Sequence, residues 1–476
     1  MSHFLGAYRE EDMCLFTDFY ELAMCAAYFD NKRFELATFD LFVRRLPENR
    51  SYFLFTGLEQ VLLYLQSVKF TEQHLLYLKG QGFSQSFLDY LRDFKFTGEV
   101  WAVPEGSVVF PNEPLIRVTA PIIEAQIVET FLLNAVNLQT TMSTKASRVI
   151  QAAGGRSVVE FGLRREHGVD AGMKVARSSF IAGCMGTSNV LAGMVYGIPV
   201  FGTMAHSFVM SYPREVDAFR AFTKTFPDKS TLLIDTYDDF AGLEKAIVVA
   251  KELEVKGFRL GGVRLDSGDL VKNSRKLREV LDANGLGYVK IFVSGDLDEF
   301  RIVELLSAGA VVDFFGVGTK MGTSADRPYL DVIYKLCEVV SVSGVSSPIM
   351  KLSPDKLTLP GCKQVYRYRD SAGNYVRDVI ALASEQVLDA NVVVEPLLVN
   401  VMSGGEIVYS FPSLSQIRAF AFENLSRLPE KYKSVIGAEV YPVELSSTLC
   451  QLVVSLREKI IENEIVGYSS SSSGFV

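Results

Sequence analysis

Two segments of this chain end a predicted strand in a glycine-rich turn that could cradle a phosphate. In KIFVSGDLDEF (residues 290–300), Phe292-Val293 runs into Ser294-Gly295-Asp296. In VVDFFGVGTK (residues 311–320), Phe314-Phe315 runs into Gly316-Val317-Gly318-Thr319. Glycines let backbone N–H groups approach an anion closely, and a helix that follows directs its positive end at it. Two successive strands ending this way suggest the C-terminal rim of an α/β barrel. Neither turn is a Walker A loop, because no GxxxxGKS or GxxxxGKT occurs.

Other polar clusters fall just after predicted strands: Glu160-Phe161-Gly162-Leu163-Arg164-Arg165, Gly202-Thr203-Met204-Ala205-His206-Ser207, Asp235-Thr236-Tyr237-Asp238 and Arg264-Leu265-Asp266-Ser267-Gly268-Asp269. Strand ends are normally polar, so one cluster means little. A series in register places an active site at one mouth of a barrel. His206 is one of four histidines. Its ordinary reading is a hydrogen-bonded structural residue. Its place in a small-residue turn favours chemistry, because a neutral imidazole is a good nucleophile toward a phosphoryl group. It would need a carboxylate to set its tautomer, and Glu160 or Asp235 could supply one. His167, in the loop after Arg165-Glu166, is the rival. Asp235, Asp266 and Asp269 form an acidic set. Asp235 and Ser267 suit helix N-capping. The functional reading of the set is Mg²⁺ or sugar-hydroxyl binding, and Mg²⁺ needs only one or two carboxylates beside phosphate oxygens. That reading is favoured for Asp266, while Asp269 stays open between the two.

The elements that must position these groups follow from length and pattern. A chain of 476 residues suggests two or three structural units. Strands are predicted over 157–161, 199–202, 232–235, 258–265, 290–294 and 312–316, with helices such as 238–253 and 267–283 between them. That alternation argues for a parallel sheet or barrel over residues 154–340. Residues 1–153 read as an α+β domain. It opens with a helical stretch over 12–30 broken by Thr17-Asp18, has a strand over 37–45, and includes a small β-rich unit over 96–120. Residues 341–468 read as a C-terminal region packing on the N-terminal domain, and 469–476 as a flexible Ser-rich tail.

Hydrophobic residues are 48% and charged residues 22%, the balance of a soluble globular protein. A net charge of −8 argues against nucleic acid or an anionic membrane as partner. Arg44-Arg45, Arg164-Arg165 and Lys351/Lys356 could still form local basic pockets for small anions. Six cysteines without CxxC pairs fit reduced thiols and no zinc site. MSHFLGAYREEDMC has no secretory apolar core, and no long charge-free apolar run indicates a membrane span, so a cytoplasmic location is expected.

Taken in order, the motifs resemble the nicotinate phosphoribosyltransferase family. The resemblance runs through LFTDFYEL (residues 15–22), FDLFVRRLPENRSYFLFTGLEQ, EFGLRREHG, GTSNVLAG, GTMAHS, VRLDSGDL, VSGDLDE, FGVGT and KLSPDKLTLPGCKQVYR. It implies a type II phosphoribosyltransferase fold, an irregular α/β barrel with an N-terminal α+β domain and a C-terminal extension, usually as a homodimer. It implies a reaction of nicotinate with 5-phosphoribosyl-1-diphosphate, giving nicotinate mononucleotide and diphosphate, with Mg²⁺ and with ATP as co-substrate. His206 stands where the family carries a phosphorylated histidine.

The resemblance also assigns roles. Phe161 and Tyr20 look like an aromatic pair that sandwiches the pyridine ring, Tyr20 coming from a neighbouring subunit; Asp18 joins the substrate-binding set. Arg264 and Arg164 would hold the ring carboxylate or a phosphate. Ser188 stands where the related nicotinamide enzymes carry an aspartate, which would repel a carboxylate; serine removes that repulsion. Asp266 would hold ribose hydroxyls and Asp235 would organise metal or His206, with Glu160 in the catalytic set. Ser294, Gly295, Gly318 and Thr319 would bind the 5′-phosphate. Arg44, Arg45 and Lys351 are candidates for phosphate contacts across a dimer interface. The alternatives are nicotinamide phosphoribosyltransferase and a phosphate-binding barrel lyase or isomerase, which needs no ATP.

Overall fold

The structure is a computed structural model describing residues 9–353, 356–387, 389 and 392–466. The expected Ser-rich tail, 469–476, lies outside the described residues. The chain divides into two units, one of Met1–Thr140, Tyr329–Lys433 and Ala438–Val476, the other of Thr141–Pro328 and Ser434–Gly437.

The first unit is built on a seven-stranded sheet. Its central strand, Leu36–Val43, pairs antiparallel with Val332–Val340 on one side and with Ile116–Pro121 on the other. LATFDLFV is buried along almost its whole length, so its polar members need partners. Thr38 Oγ1 meets Thr119 Oγ1 at 3.0 Å, and Asp40 pairs with the buried Lys363 at 2.8 Å. The short strands predicted over 96–120 are not a separate β-rich unit. Glu99–Ala102 and Ile116–Pro121 are neighbours in this sheet, and Val108–Val109 pairs with Phe53–Leu54. A second sheet of four strands, including Lys363–Arg369 and Tyr375–Leu382, comes from the C-terminal region.

The boundary between the units differs from the expected 154–340 at both ends. It falls inside the 24-residue helix Glu129–Ala152, and residues from Tyr329 onward belong to the first unit. The physical reason is the pairing of Val332–Val340 with Leu36–Val43, a ladder between segments far apart in sequence. The small excursion Ser434–Gly437 joins the second unit, where the buried Arg148 donates from Nη2 to Val435 O at 2.9 Å.

The second unit holds a six-stranded parallel sheet. Its spatial order is Gly186–Thr187, Ser157–Glu160, Phe314–Val317, Lys290–Val293, Gly262–Leu265, Thr231–Leu233. The last strand in sequence pairs with the first, Phe314 opposite Ser157, as in a closed α/β ring. One seam is open. Val200 makes a lone parallel bridge to Thr187, and no ladder among the described residues joins it to Thr231–Leu233. This is the irregular barrel expected, with a correction at residues 199–202, which form only that bridge. Proline 199 has no N–H to give a ladder, which favours the short pairing. The helices Asp239–Val255 and Leu270–Ala283 pack between strands. Asp238 and Asp269 cap them: Asp238 Oδ1 accepts from Ala241 N at 2.8 Å, and Asp269 Oδ1 from Lys272 N at 3.0 Å. Asp269 is therefore an N-cap, and neither Asp235 nor Ser267 is one.

Candidate active site

A cavity of about 580 Å³ opens at the C-terminal ends of the parallel strands. Phe161, Gly162, Arg164 and Arg165 follow the first strand; Ser188 follows the second; Gly202–His206 follow the lone bridge. Arg264 and Asp266 end the strand Gly262–Leu265, and Ser294–Asp296 and Gly318-Thr319 follow the last two. Every lining residue belongs to the second unit.

Arg264 lies at the centre of a hydrogen-bonded knot. Its Nε donates to Ser294 Oγ at 2.7 Å, Nη1 to Thr203 Oγ1 at 3.0 Å and Nη2 to Asp266 Oδ1 at 2.8 Å. Those bonds fix the guanidinium plane and leave one N–H on each terminal nitrogen for a ligand. Its Cζ lies 5.8 Å from the centre of the Phe161 ring, which stacks on Phe292 at 5.6 Å. Ser294 Oγ also donates to Asp266 Oδ1 at 2.5 Å. Burial by itself would raise the Asp266 carboxyl. The Ser294 bond and the Arg264 charge outweigh it and hold the group below the usual carboxylate range. Asp266 is therefore an ionised carboxylate inside a cavity rich in arginine.

Both glycine turns pack closely against neighbouring backbone. At Gly295, φ is +94° and a Cβ would meet Asp266 O at 2.1 Å. A Cβ on Gly318 would sit 2.9 Å from Phe161 O. The helices differ from the expectation, though. Thr319–Gly322 is a single turn, and Glu299–Ser307 starts only after Asp298, whose side chain caps it. The turns would thus bind an anion through backbone N–H groups and side chains rather than through a long helix's dipole. Arg165, absent from the expected contact residues, donates from Nη1 to Thr319 Oγ1 at 2.9 Å. Among the described residues Arg164 makes no hydrogen bond or ion pair, which leaves its fork available at the rim.

His206 lines the cavity at the start of the short helix His206–Met210. Its expected carboxylate partner is not there. Nδ1 meets the Thr236 hydroxyl at 3.2 Å instead. Asp235 faces another way: its Oδ2 accepts from Asp266 N and from Ser267 Oγ, each at 2.8 Å. The other oxygen, Oδ1, is buried without a hydrogen-bond partner. Glu160 is also not a cavity residue. It is fully buried, accepting from Thr187 Oγ1 at 2.5 Å and from Gly162 N. Thr187 Oγ1 in turn accepts from Asn189 N at 3.0 Å, and Ser188 N donates to Glu160 O at 2.9 Å. Glu160 therefore shapes two rim turns from beneath, including the one that presents Ser188. Thr203, Thr236 and Arg165 fall in the rim clusters read from the sequence, but the contacts they make were not foreseen. Threonine and arginine beside a rim turn look like ordinary polar filling until the fold brings them to Arg264, His206 and Thr319.

Asp18 and Tyr20 do not line the cavity; both belong to the first unit, as do Arg44, Arg45 and Lys351. Tyr20 is half exposed. His167 is exposed and outside the lining. One other constellation has catalytic order: Cys14 Sγ lies 3.1 Å from His74 Nδ1, and His74 Nε2 lies 3.1 Å from Asp12 Oδ1. It is structural. Cys14 is buried, burial pushes its thiol up to about 12, and His74 Nδ1 also accepts from Thr71 N at 3.1 Å as part of a helix cap.

A ring of parallel strands with an arginine fork, an ionised carboxylate and glycine turns at one mouth defines a class: barrel enzymes that act on phosphorylated substrates. Comparison with known proteins narrows it. Family models match in order along the chain: the nicotinate phosphoribosyltransferase N-terminal domain over 15–137, the nicotinate phosphoribosyltransferase family over 156–354 and the C-terminal domain over 362–453. The chain is 45% identical over 454 residues to nicotinate phosphoribosyltransferase pncB2 of Mycobacterium tuberculosis, covering 95% of each. It is 40% identical over 465 residues to nicotinate phosphoribosyltransferase of Bacillus subtilis, covering 92% of this chain and 94% of that one. The crystal structure of human nicotinic acid phosphoribosyltransferase superposes with a TM-score of 0.82 at 31% identity, covering 92% of this chain and 99% of that one. The chain belongs to the nicotinate phosphoribosyltransferase family.

Proposed function

We propose that this chain joins nicotinate to 5-phosphoribosyl-1-diphosphate, releasing diphosphate and forming nicotinate mononucleotide, with coupled ATP hydrolysis. The observation that carries the reading is the Arg264–Asp266–Ser294 knot beside the Phe161 ring, between two glycine turns. Phe161 offers its face to the flat pyridine ring, and Arg264 or Arg164 takes the ring carboxylate. The turns at Ser294-Gly295 and Gly318-Thr319 take the 5′-phosphate. The ring nitrogen attacks ribose C1 as diphosphate leaves, and Asp266 holds the ribose hydroxyls and faces the positive charge that develops on the sugar.

Asp235 and Asp266 are the side chains that would hold Mg²⁺. The orphaned Asp235 Oδ1 fits a cation. Among the described residues no cluster of three ligands exists, which suits an ion that completes its shell with phosphate oxygens and water. When bound, Mg²⁺ would supply charge neutralisation to the leaving diphosphate.

His206 is the site we assign to phosphorylation by ATP, with Nδ1 held by Thr236. The assembly we favour is a homodimer in which Tyr20 and Asp18 of the partner subunit complete the site. Two exposed surfaces support it. Val190, Leu191, Met194 and Val195 lie exposed on the helix Val190–Tyr196, and Phe19 and Tyr20 are exposed on the first unit. No helix among the described residues is long and apolar enough to cross a membrane, which is compatible with a cytoplasmic enzyme.

Nucleotide formation from nicotinate and from nicotinamide, assayed side by side with and without ATP, tests the reading; a preference for the amide would overturn it. Ser188→Asp should lower kcat/KM for nicotinate about tenfold or more and narrow the gap to nicotinamide. An unchanged base preference would remove Ser188 from the specificity argument. Incubation with γ-labelled ATP should put acid-labile phosphate on the wild type and none on His206→Ala, and the variant should lose stimulation by ATP. Equal labelling of both proteins would place the phosphate elsewhere.

A further inference from the structure

Beneath the rim, outside the cavity lining, lies a second glutamate that none of the roles above uses. Glu166 follows the turn Leu163–Arg165 and is half-buried, with both of its carboxyl oxygens buried and lacking a hydrogen-bond partner. Its surroundings are tight. A Cβ on Gly162 would meet Glu166 Oε1 at 2.5 Å and Glu160 Oε1 at 3.0 Å, and a Cβ on Gly322 would also meet Glu166 Oε1 at 2.5 Å. The carboxyl is therefore wedged where the turn after Glu160 meets the turn after Gly318, next to the Glu160 carboxyl. Two buried carboxylates side by side could only repel, since neither can donate.

The cations nearby do not relieve this. On its own segment are Arg164, Arg165 and His167, and Arg165 is bonded to Thr319. On the helix Val169–Ile181 are Asp170 and Lys174, paired with each other at 2.6 Å, and Arg177. On Thr319–Gly322 is Lys320, which pairs with Asp296 and Asp298 at 3.4 and 3.3 Å. Burial first, and Glu160 second, push the Glu166 carboxyl up to about 9, with no cation opposing them. Burial raises the Glu160 carboxyl as well, but donors from Thr187, Gly162 and Leu163 oppose that rise, which suits the charged member of a pair.

We propose that Glu166 is a positioning residue that works as a neutral carboxylic acid, bonding its proton to the Glu160 carboxylate and so clamping together the two rim turns that carry Arg164, Arg165 and Thr319. The link to phosphate binding rests on the function proposed above; the shared proton does not. Ionising Glu166 places a second negative charge under the rim and pushes the turns apart, so the anion site loosens without losing a single ligand-contacting residue.

The test compares full-length wild type with Glu166→Gln and Glu166→Ala. Glutamine keeps the shape and can donate from its amide to Glu160 at any pH; alanine cannot. The sign of the stability effect follows from linkage. The folded carboxyl lies above its unfolded value, so its contribution is complete below the usual carboxylate range, falls as pH rises and is gone above about 9. Wild-type Tm should therefore decline toward alkaline pH more steeply than Glu166→Gln Tm, and infrared difference spectra should show a protonated buried carboxyl that the Gln variant lacks. In steady-state assays Glu166→Ala should raise KM for 5-phosphoribosyl-1-diphosphate about tenfold with a smaller change in kcat, and Gln should restore it. Parallel Tm–pH curves for wild type and Gln, or a Gln variant as impaired as Ala, would overturn the proposal. If wild type forms no nucleotide at all, the proposed function fails, while the Tm and infrared comparisons still decide whether Glu166 holds the proton.

Discussion

Asp266→Asn is expected to lower kcat by about 10²–10³-fold while the protein stays folded. Asparagine fills the same space and can still accept from Ser294 and Arg264 through its amide oxygen. The net negative charge is what disappears. In the native site that charge is maintained against burial by the Ser294 hydroxyl and the Arg264 guanidinium, which hold the carboxyl below its usual range. A carboxylate already oriented in this way needs no rearrangement when positive charge develops on the ribose. The expected loss corresponds to roughly 3–4 kcal/mol of transition-state stabilisation. Because the folded carboxyl is lower than the unfolded one, its stabilising contribution is complete above the usual carboxylate range. It is lost only as pH falls through the lowered value. An acid limb in the activity profile near neutrality would thus belong to another group. Saturating kcat, measured with Tm as a control for folding, decides the matter; a loss under about tenfold would mean that Asp266 does not face developing charge.

Gly295→Ala should be damaging by a different route. Here the backbone has φ of +94°, and the added Cβ would press on Asp266 O at 2.1 Å. A carbonyl oxygen cannot swing aside as a side-chain tip can. Relief must come from moving the turn or the strand end that carries Asp266. The positive φ alone costs alanine about 1–2 kcal/mol, and the clash adds to it. Both the stability and the affinity for the phosphorylated substrate should fall, the affinity by about tenfold or more, since the moved turn is the cradle. Calorimetric binding of 5-phosphoribosyl-1-diphosphate, beside denaturant unfolding, separates the two. Native affinity in a variant that is merely less stable would take the Ser294-Gly295 turn out of the phosphate site.

The barrel and its rim were largely readable along the chain because each strand is an apolar run that stops at a Gly- or Asp-containing cluster. Lys290–Val293 and Phe314–Val317 are examples, and their turns lie at the cavity as expected. Gly186–Thr187 was not readable, since two residues carry no periodicity. Neither was the unit boundary, because the ladder between Leu36–Val43 and Val332–Val340 depends on long-range pairing that no local pattern encodes. The same limit applies within the site. Glu160 ends a strand like a catalytic carboxylate, but it accepts bonds from below the rim. Glu166, between Arg165 and His167, carries no local sign that its carboxyl is wedged between turns. His206 was found from its neighbours; Thr236, its partner, lies thirty residues further along the chain.

The open seam of the barrel has a mechanical consequence. A closed ring of hydrogen-bonded strands resists distortion all round its circumference, and displacing any stave strains its two neighbours. This ring is split between Val200 and Thr231, and the segment spanning the split carries Thr203 and His206. That segment can be displaced without tearing a ladder. The lone bridge at Val200 and the side-chain bonds Thr203–Arg264 and His206–Thr236 tie it to the arc of strands opposite, which holds Arg264, Asp266 and the glycine turns in fixed relation.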